Sequence, residues 1–265
     1  MDFLQVSKKV FFITGVANKK SVAFFTAKTL IENGAVVVFS CQNVENQIKT
    51  QKLFPDNTVL ICDVESEQSI KELGAYFKTS NIKLSGFVHS IAFANYSEGI
   101  KPFHETLVKD FLQATNISCL SLITLSNTLK ESFTDDASIV TVSISSTRAT
   151  AYGYMGPIKA ALEASVDFLA KSLSEDSSIR VNSVCAGPLK TSASAGIPGY
   201  INNYLYAEQL TLRKQALKTQ EVANTISFLL SPKSSGINAT GVVIDAGMGC
   251  NYFDQKIVNA AAENL

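Results

Sequence analysis

The chain has 265 residues, 46% of them hydrophobic, enough for one large α/β domain with a sizeable core, and its 23 basic and 23 acidic side chains cancel to a formal net charge of zero. That balance speaks against broad electrostatic capture of nucleic acid or of an anionic membrane. Five scattered cysteines (Cys41, Cys62, Cys119, Cys185 and Cys250) form no C-x-x-C or Cys/His cluster, so a metal site is not expected. With no basic-then-apolar leader and no long apolar run, a cytoplasmic chain with reduced, mostly buried thiols is expected instead.

In chain order, short apolar runs rich in β-branched and aromatic residues predict strands over 10–13, 36–39, 59–62, 87–89, 139–142, 181–185 and 242–244. Continuous runs of this kind suit a parallel sheet buried on both faces. Helical periodicity predicts helices over 21–32, 66–78, 107–129, 152–173 and 220–230. The alternation predicts an α/β, Rossmann-type doubly wound parallel sheet of about seven strands with helices on both faces, in a single domain over 1–265. From Gly187 to about Thr211 the chain is expected to be irregular, because Gly187-Pro188, Gly196 and Pro198-Gly199 are turn signals. Tyrosines at 200, 204 and 206 suit a cover over a site, so a lid is expected at about 188–212.

The first strand runs into Thr14-Gly15-Val16-Ala17-Asn18-Lys19-Lys20-Ser21-Val22 and then a helix. A glycine there lets the backbone close on a pyrophosphate, and the helix N-terminus offers unpaired N–H groups and the positive end of its dipole. Ser21 either caps that helix or donates its hydroxyl to a phosphate. With one glycine and no G-x-G-x-x-G, an ordinary strand-to-helix turn remains open. The second strand ends Ser40-Cys41-Gln42-Asn43, where dinucleotide folds hold the group that meets the adenosine ribose. No Arg or Lys waits there for a 2′-phosphate, which favours NADH over NADPH, although the usual acidic ribose ligand is missing too. The third strand ends Cys62-Asp63-Val64, and Asp63 either reads an adenine amino group or caps the next helix. His89, in an apolar strand, reads as a satisfied core histidine, and His104, without companions, as a surface residue.

After the fifth strand, ending at Ser143, the segment Tyr152-Gly153-Tyr154-Met155-Gly156-Pro157-Ile158-Lys159-Ala160-Ala161-Leu162-Glu163-Ala164 leads into a long helix. With Phe87-Val88-His89-Ser90-Ile91-Ala92-Phe93-Ala94, Ala186-Gly187-Pro188-Leu189-Lys190-Thr191 and Ala195-Gly196-Ile197, it resembles the type I bacterial enoyl-acyl-carrier-protein reductases of the short-chain dehydrogenase/reductase superfamily, from about Phe3 to about Gly249. Most short-chain dehydrogenases place the active tyrosine four residues before the lysine; here Met155 holds that position and Tyr152 stands seven before Lys159, as in the enoyl reductases. Seven residues are close to two helical turns, so the pair is expected to face one cleft.

The resemblance implies NAD(H)-dependent 1,4-reduction of trans-2-enoyl thioesters in fatty-acid synthesis. Tyr152 would hydrogen-bond the enolate-like thioester oxygen, while Lys159 holds the cofactor ribose and makes the local field positive. It further implies that Gly15, Ser21, Val22, Gln42, Asp63, Val64, Ser90, Ile91, Leu189 and Thr191 line the cofactor with Lys159. Ala92, Phe93, Met155, Ile197 and Tyr200 would meet the substrate. Acyl carrier protein is the implied partner, and a homotetramer the implied assembly, with helices 107–129 and 152–173 buried between subunits.

Three positions depart from the family pattern. Ser143 is followed by Ile144, where family members usually carry a second active-site tyrosine. The lid segment Pro198-Gly199-Tyr200-Ile201-Asn202-Asn203 lacks the basic residues that engage the acidic carrier, for which Arg213, Lys214 and Lys218 are candidate substitutes. Asn116 sits where ordinary short-chain dehydrogenases keep a structural, proton-relaying asparagine, or it only pins a helix to a strand. Two alternatives therefore stay open: a divergent paralogue reducing another enone or enoyl thioester, and a cofactor-binding protein without turnover. Ile144 motivates the second, and intact Tyr152 and Lys159 oppose it.

Overall fold

The computed structural model describes residues 3–95, 98–99, 101–191, 194 and 199–263. Strands β1 (Val10–Thr14), β2 (Val36–Cys41), β3 (Thr58–Ile61), β4 (Leu84–His89), β5 (Phe133–Ile144), β6 (Arg180–Ala186) and β7 (Thr240–Ile244) form one sheet in the order β3-β2-β1-β4-β5-β6-β7. Every neighbouring pair is parallel. The helices are α1 (Val22–Glu32), α2 (Val44–Leu53), α3 (Glu67–Ser80), α4 (Val108–Thr115), α5 (Ser121–Leu129), α6 (Met155–Leu173), α7 (Tyr200–Leu210), α8 (Thr219–Leu230) and α9 (Gln255–Ala262).

The apolar run of β1 is continuous because alternate side chains serve two cores. Phe12 enters a cluster with Leu73 and Phe77 of α3, Leu122 and Leu125 of α5, and Ile158 and Leu162 of α6. Phe11 and Ile13 enter the opposite one, with Ala23, Ala27 and Leu30 of α1 and Val222 and Ile226 of α8. A two-residue side-chain period on a sheet covered by helices on both sides requires this pattern. Phe12 stacks on Phe87 at 5.4 Å and meets Phe77 edge-on at 5.3 Å. Full burial of each such ring contributes about 1.5–3 kcal/mol. Arg180, at the start of β6, is also buried, and its guanidinium donates to the carbonyls of Leu229, Ser231, Ser234 and Ile237, tying that strand to the loop after α8.

Three helices are absent from the sequence expectation. α2 buries only Thr50, so it carries no apolar stripe to read; Asn43 starts it by accepting from the Asn46 N–H at 3.0 Å. α7 lies inside the stretch expected to be irregular and buries only Ala207, and α9 buries nothing. The expected helix over 107–129 is in fact α4 and α5 joined through a wider, π-type turn at Asn116–Leu120. Among the described residues no helix is long and apolar enough to cross a membrane, and no group of His, Cys, Asp or Glu could hold a metal ion.

Candidate active site

After β3 the chain crosses back to place β4 beside β1, so a crevice opens where the carboxyl ends of β1 and β4 diverge. Gly15 stands on its floor with φ +83°, and a Cβ there would lie 1.9 Å from the Ser90 carbonyl oxygen. The glycine is therefore demanded twice, by the left-handed backbone and by the end of β4 pressed against it. Ser21 caps α1, accepting from the Phe24 N–H at 3.3 Å, while its own proton goes to the Asn18 carbonyl at 2.8 Å. Val22 behind it is buried.

Gln42 is exposed at the end of β2, beside amide-bearing Asn43 and with no cation in that turn. Asp63 does not cap α3, a task that falls to Ser66, which accepts from the Ser69 N–H. The Asp63 carboxylate instead accepts from the Glu65 N–H at 3.0 Å, inside its own turn. Val64 and Ile91 pack against the α3 side of the core. These residues share the carboxyl edge of the sheet, and their chemistry fits a dinucleotide: a side-chain-free turn, a helix N-terminus and no cation at β2 for a 2′-phosphate.

On the far side of the crevice Lys159 is buried, 5% exposed, and its Nζ donates to the Val142 carbonyl at 2.8 Å. Loss of water brings its pKa down to about 8. Tyr152 does not stand on the same helix: it closes a short turn at Thr150–Tyr152, and Gly153, at φ 58° and ψ −147°, separates it from α6. The helical spacing argument thus fails locally, and a turn only glycine readily makes does the aiming instead. Burial, with a smaller contribution from nearby Tyr200, pushes the Tyr152 phenol up to about 12. It is therefore a neutral O–H donor across the physiological range, and it makes no hydrogen bond to any described residue. Met155, one turn before Lys159, is buried in the core.

The loop after β4 is held from below. The Ser118 hydroxyl, within the π-type turn, accepts from the Phe93 N–H at 2.9 Å and donates to its carbonyl at 3.1 Å. Tyr154 donates to the Asn95 carbonyl at 3.0 Å. Ala92 and Phe93 are thereby presented to solvent, Phe93 being 41% exposed. Leu189 is buried, and its N–H and carbonyl are both taken by the Tyr200 hydroxyl, at 2.9 and 3.0 Å. Thr191 bonds Ser194. Ile197 lies outside the described residues. Neither Ser118 nor the phenol clasp of Tyr200 carries a signal in the sequence, since both join segments far apart along it.

A family model described as enoyl-(acyl carrier protein) reductase matches residues 15–249. The chain belongs to the enoyl-(acyl carrier protein) reductase family. An NADH-dependent enoyl-acyl-carrier-protein reductase of Enterococcus faecalis is 36% identical over 249 residues, 93% of this chain and 98% of that one. An NADPH-dependent counterpart from Staphylococcus aureus is 32% identical over 251 residues, 92% of this chain and 98% of that one. The crystal structure of the NADH enzyme of Aquifex aeolicus VF5 matches with a TM-score of 0.87 at 30% identity, covering 92% of this chain and 97% of that one.

For an enoyl-(acyl carrier protein) reductase, two departures have structural form here. Ile144 is the last residue of β5, paired with Ala186, so an aliphatic side chain ends that strand. Of the candidate carrier-binding cations, Arg213 is committed to Glu221 and Lys214 to Asp254. Lys218 is exposed and in no ion pair among the described residues. Asn116 opens the π-type turn, and its side chain bonds no described residue, so it pins nothing by hydrogen bonding.

Proposed function

We propose that the chain is an NADH-dependent enoyl-acyl-carrier-protein reductase that reduces trans-2-enoyl thioesters in fatty-acid synthesis. The observation that carries this reading is a neutral Tyr152 phenol, hydrogen-bonded to no described residue, on the turn that leads into the helix of buried Lys159. A bound nicotinamide cofactor supplies the hydride for the substrate β-carbon. Tyr152 donates its hydroxyl proton in a hydrogen bond to the thioester oxygen, where negative charge accumulates, and so lowers the barrier. Lys159 holds the cofactor ribose and contributes positive field at the same point. Gly15, Ser21, Val22, Gln42, Asp63, Val64, Ser90, Ile91, Leu189 and Thr191 form the rest of the cofactor's surroundings. Ala92, Phe93, Met155, Ile197 and Tyr200 bound the acyl chain beneath a lid at about 188–212, all within one cytoplasmic domain.

The preference for NADH rests on Gln42 and Asn43, which offer nothing to neutralise a 2′-phosphate. A homotetramer is supported by exposed apolar side chains on the packed helices α4 and α6, and acyl carrier protein is the partner, with Lys218 available for contact. The deciding assay follows NADH oxidation with trans-2-enoyl thioesters on carrier protein and on coenzyme A. Tyr152→Phe is expected to lower kcat about a hundredfold or more while NADH affinity holds. Faster turnover on the coenzyme A or free-enone substrate would assign a divergent paralogue. Binding of NADH with no turnover on any thioester would defeat the reductase reading and leave a cofactor-binding protein ending β5 in Ile144.

A further inference from the structure

Lys159 is a charged group in a dry place, and something must hold it charged. Its titratable neighbours come from four elements: His89 on β4, Cys119 in the π-type turn, Cys185 on β6 and Glu163 on α6 itself. Three of them are neutral. Burial and the Lys159 charge bring His89 down to about 3, burial pushes Cys185 up to about 11, and burial raises Cys119 as well. Glu163, one helical turn beyond Lys159, is the remaining neighbour able to carry a negative charge.

Its position is built rather than incidental. Ser143 Oγ donates to Glu163 Oε1 at 2.6 Å. Ser143 and Cys185 are register partners on β5 and β6, and Cys185 Sγ pairs with Ser183 Oγ at 3.5 Å. The end of β5 thus holds the carboxylate, next to the residue whose carbonyl Lys159 reaches.

We infer that Glu163 is a positioning residue: held by Ser143, its carboxylate keeps the Lys159 ammonium charged and aimed at the cofactor ribose. The inference rests on the reading of Lys159 as the ribose ligand. Its test is NADH affinity of the full chain, read by nicotinamide fluorescence from mildly acidic to alkaline pH. In the unaltered protein affinity falls on the alkaline side as Lys159 loses its proton, and Lys159→Met removes that fall.

Glu163→Gln keeps the shape and an acceptor for Ser143 but removes the charge. It is expected to bring the fall about one pH unit lower, leaving affinity on the acid side unchanged. A fall at the original pH, or an equal loss of affinity at every pH, overturns the role of Glu163. Should that variant not fold, Ser143→Ala frees the carboxylate to turn to water and shifts the fall in the same direction; an unmoved fall there overturns the inference equally. If the unaltered protein shows no alkaline fall, or if the fall survives Lys159→Met, the reading of Lys159 itself is wrong and the inference goes with it.

Discussion

His89 shows how a single polar side chain can be read to its proton. It is fully buried, with Nδ1 2.9 Å from Thr141 Oγ1 and Nε2 2.8 Å from Ser121 Oγ. Ser121 spends its own proton on the Ile117 carbonyl at 2.6 Å, so its oxygen accepts from Nε2–H, and Nδ1 accepts from Thr141. Both ring nitrogens are satisfied in one neutral tautomer, and the charged imidazolium would be cut off from water. The folded pKa is about 3 against an ordinary 6.5, so the native state binds fewer protons than the unfolded chain between those values. This residue's contribution to stability is whole above about pH 6.5 and is lost as pH falls toward 3. Thermal melts over that window should lose up to about 1.4 kcal/mol per pH unit from His89, and His89→Gln, less stable at neutral pH, should flatten the slope. An unchanged slope in the variant would place the acid sensitivity elsewhere.

Among the elements, the β1–α1 turn couples fold and site most tightly. A side chain on Gly15 would meet the carbonyl of Ser90, which directly follows β4 and cannot yield without moving the end of that strand. Gly15→Ala should cost about 2 kcal/mol or more and weaken NADH binding at least tenfold, measured by melting and by fluorescence titration of the same preparation. The sequence showed a glycine turn here but left an ordinary strand-to-helix turn open; the Ser90 contact is what makes the glycine obligatory. The turn that carries Tyr152 was not visible: a tyrosine seven residues before a lysine suits a helix as well as a turn, and only the positive φ of Gly153 separates the two. The amphipathic segment over 107–129 likewise hid the π-type turn, because an apolar stripe survives a single widened turn.

At the scale of the whole molecule, exposed apolar side chains occur on α4 and α6, the helices expected between subunits. α6 buries Met155, Ile158, Leu162, Val166, Leu169 and Leu173 along one face, which leaves Phe168 on the other, 79% exposed. Val108 and Leu112 of α4 are likewise exposed, at 73% and 62%. These side chains are the ones the proposed tetramer would cover. Phe168→Glu should shift the assembly to smaller species in light scattering while the melting curve of the fold itself persists; a wild-type chain that runs as a monomer would end the tetramer proposal.

The sequence by itself determined the sheet and its burial on both faces, since continuous β-branched runs alternating with amphipathic helices have few other solutions. It also determined the family, through the Tyr152 and Lys159 spacing and the Leu189 and Ser90 segments. Tertiary structure alone decided whether Asp63 or Ser66 caps α3, that the Tyr200 phenol clasps Leu189, and that Ser143 bonds Glu163. It also decided that α2, α7 and α9 form although they bury almost nothing. Periodicity reports which residues of one element face the core, whereas hydrogen bonds between segments far apart in sequence depend on strand order and register, which no local pattern carries.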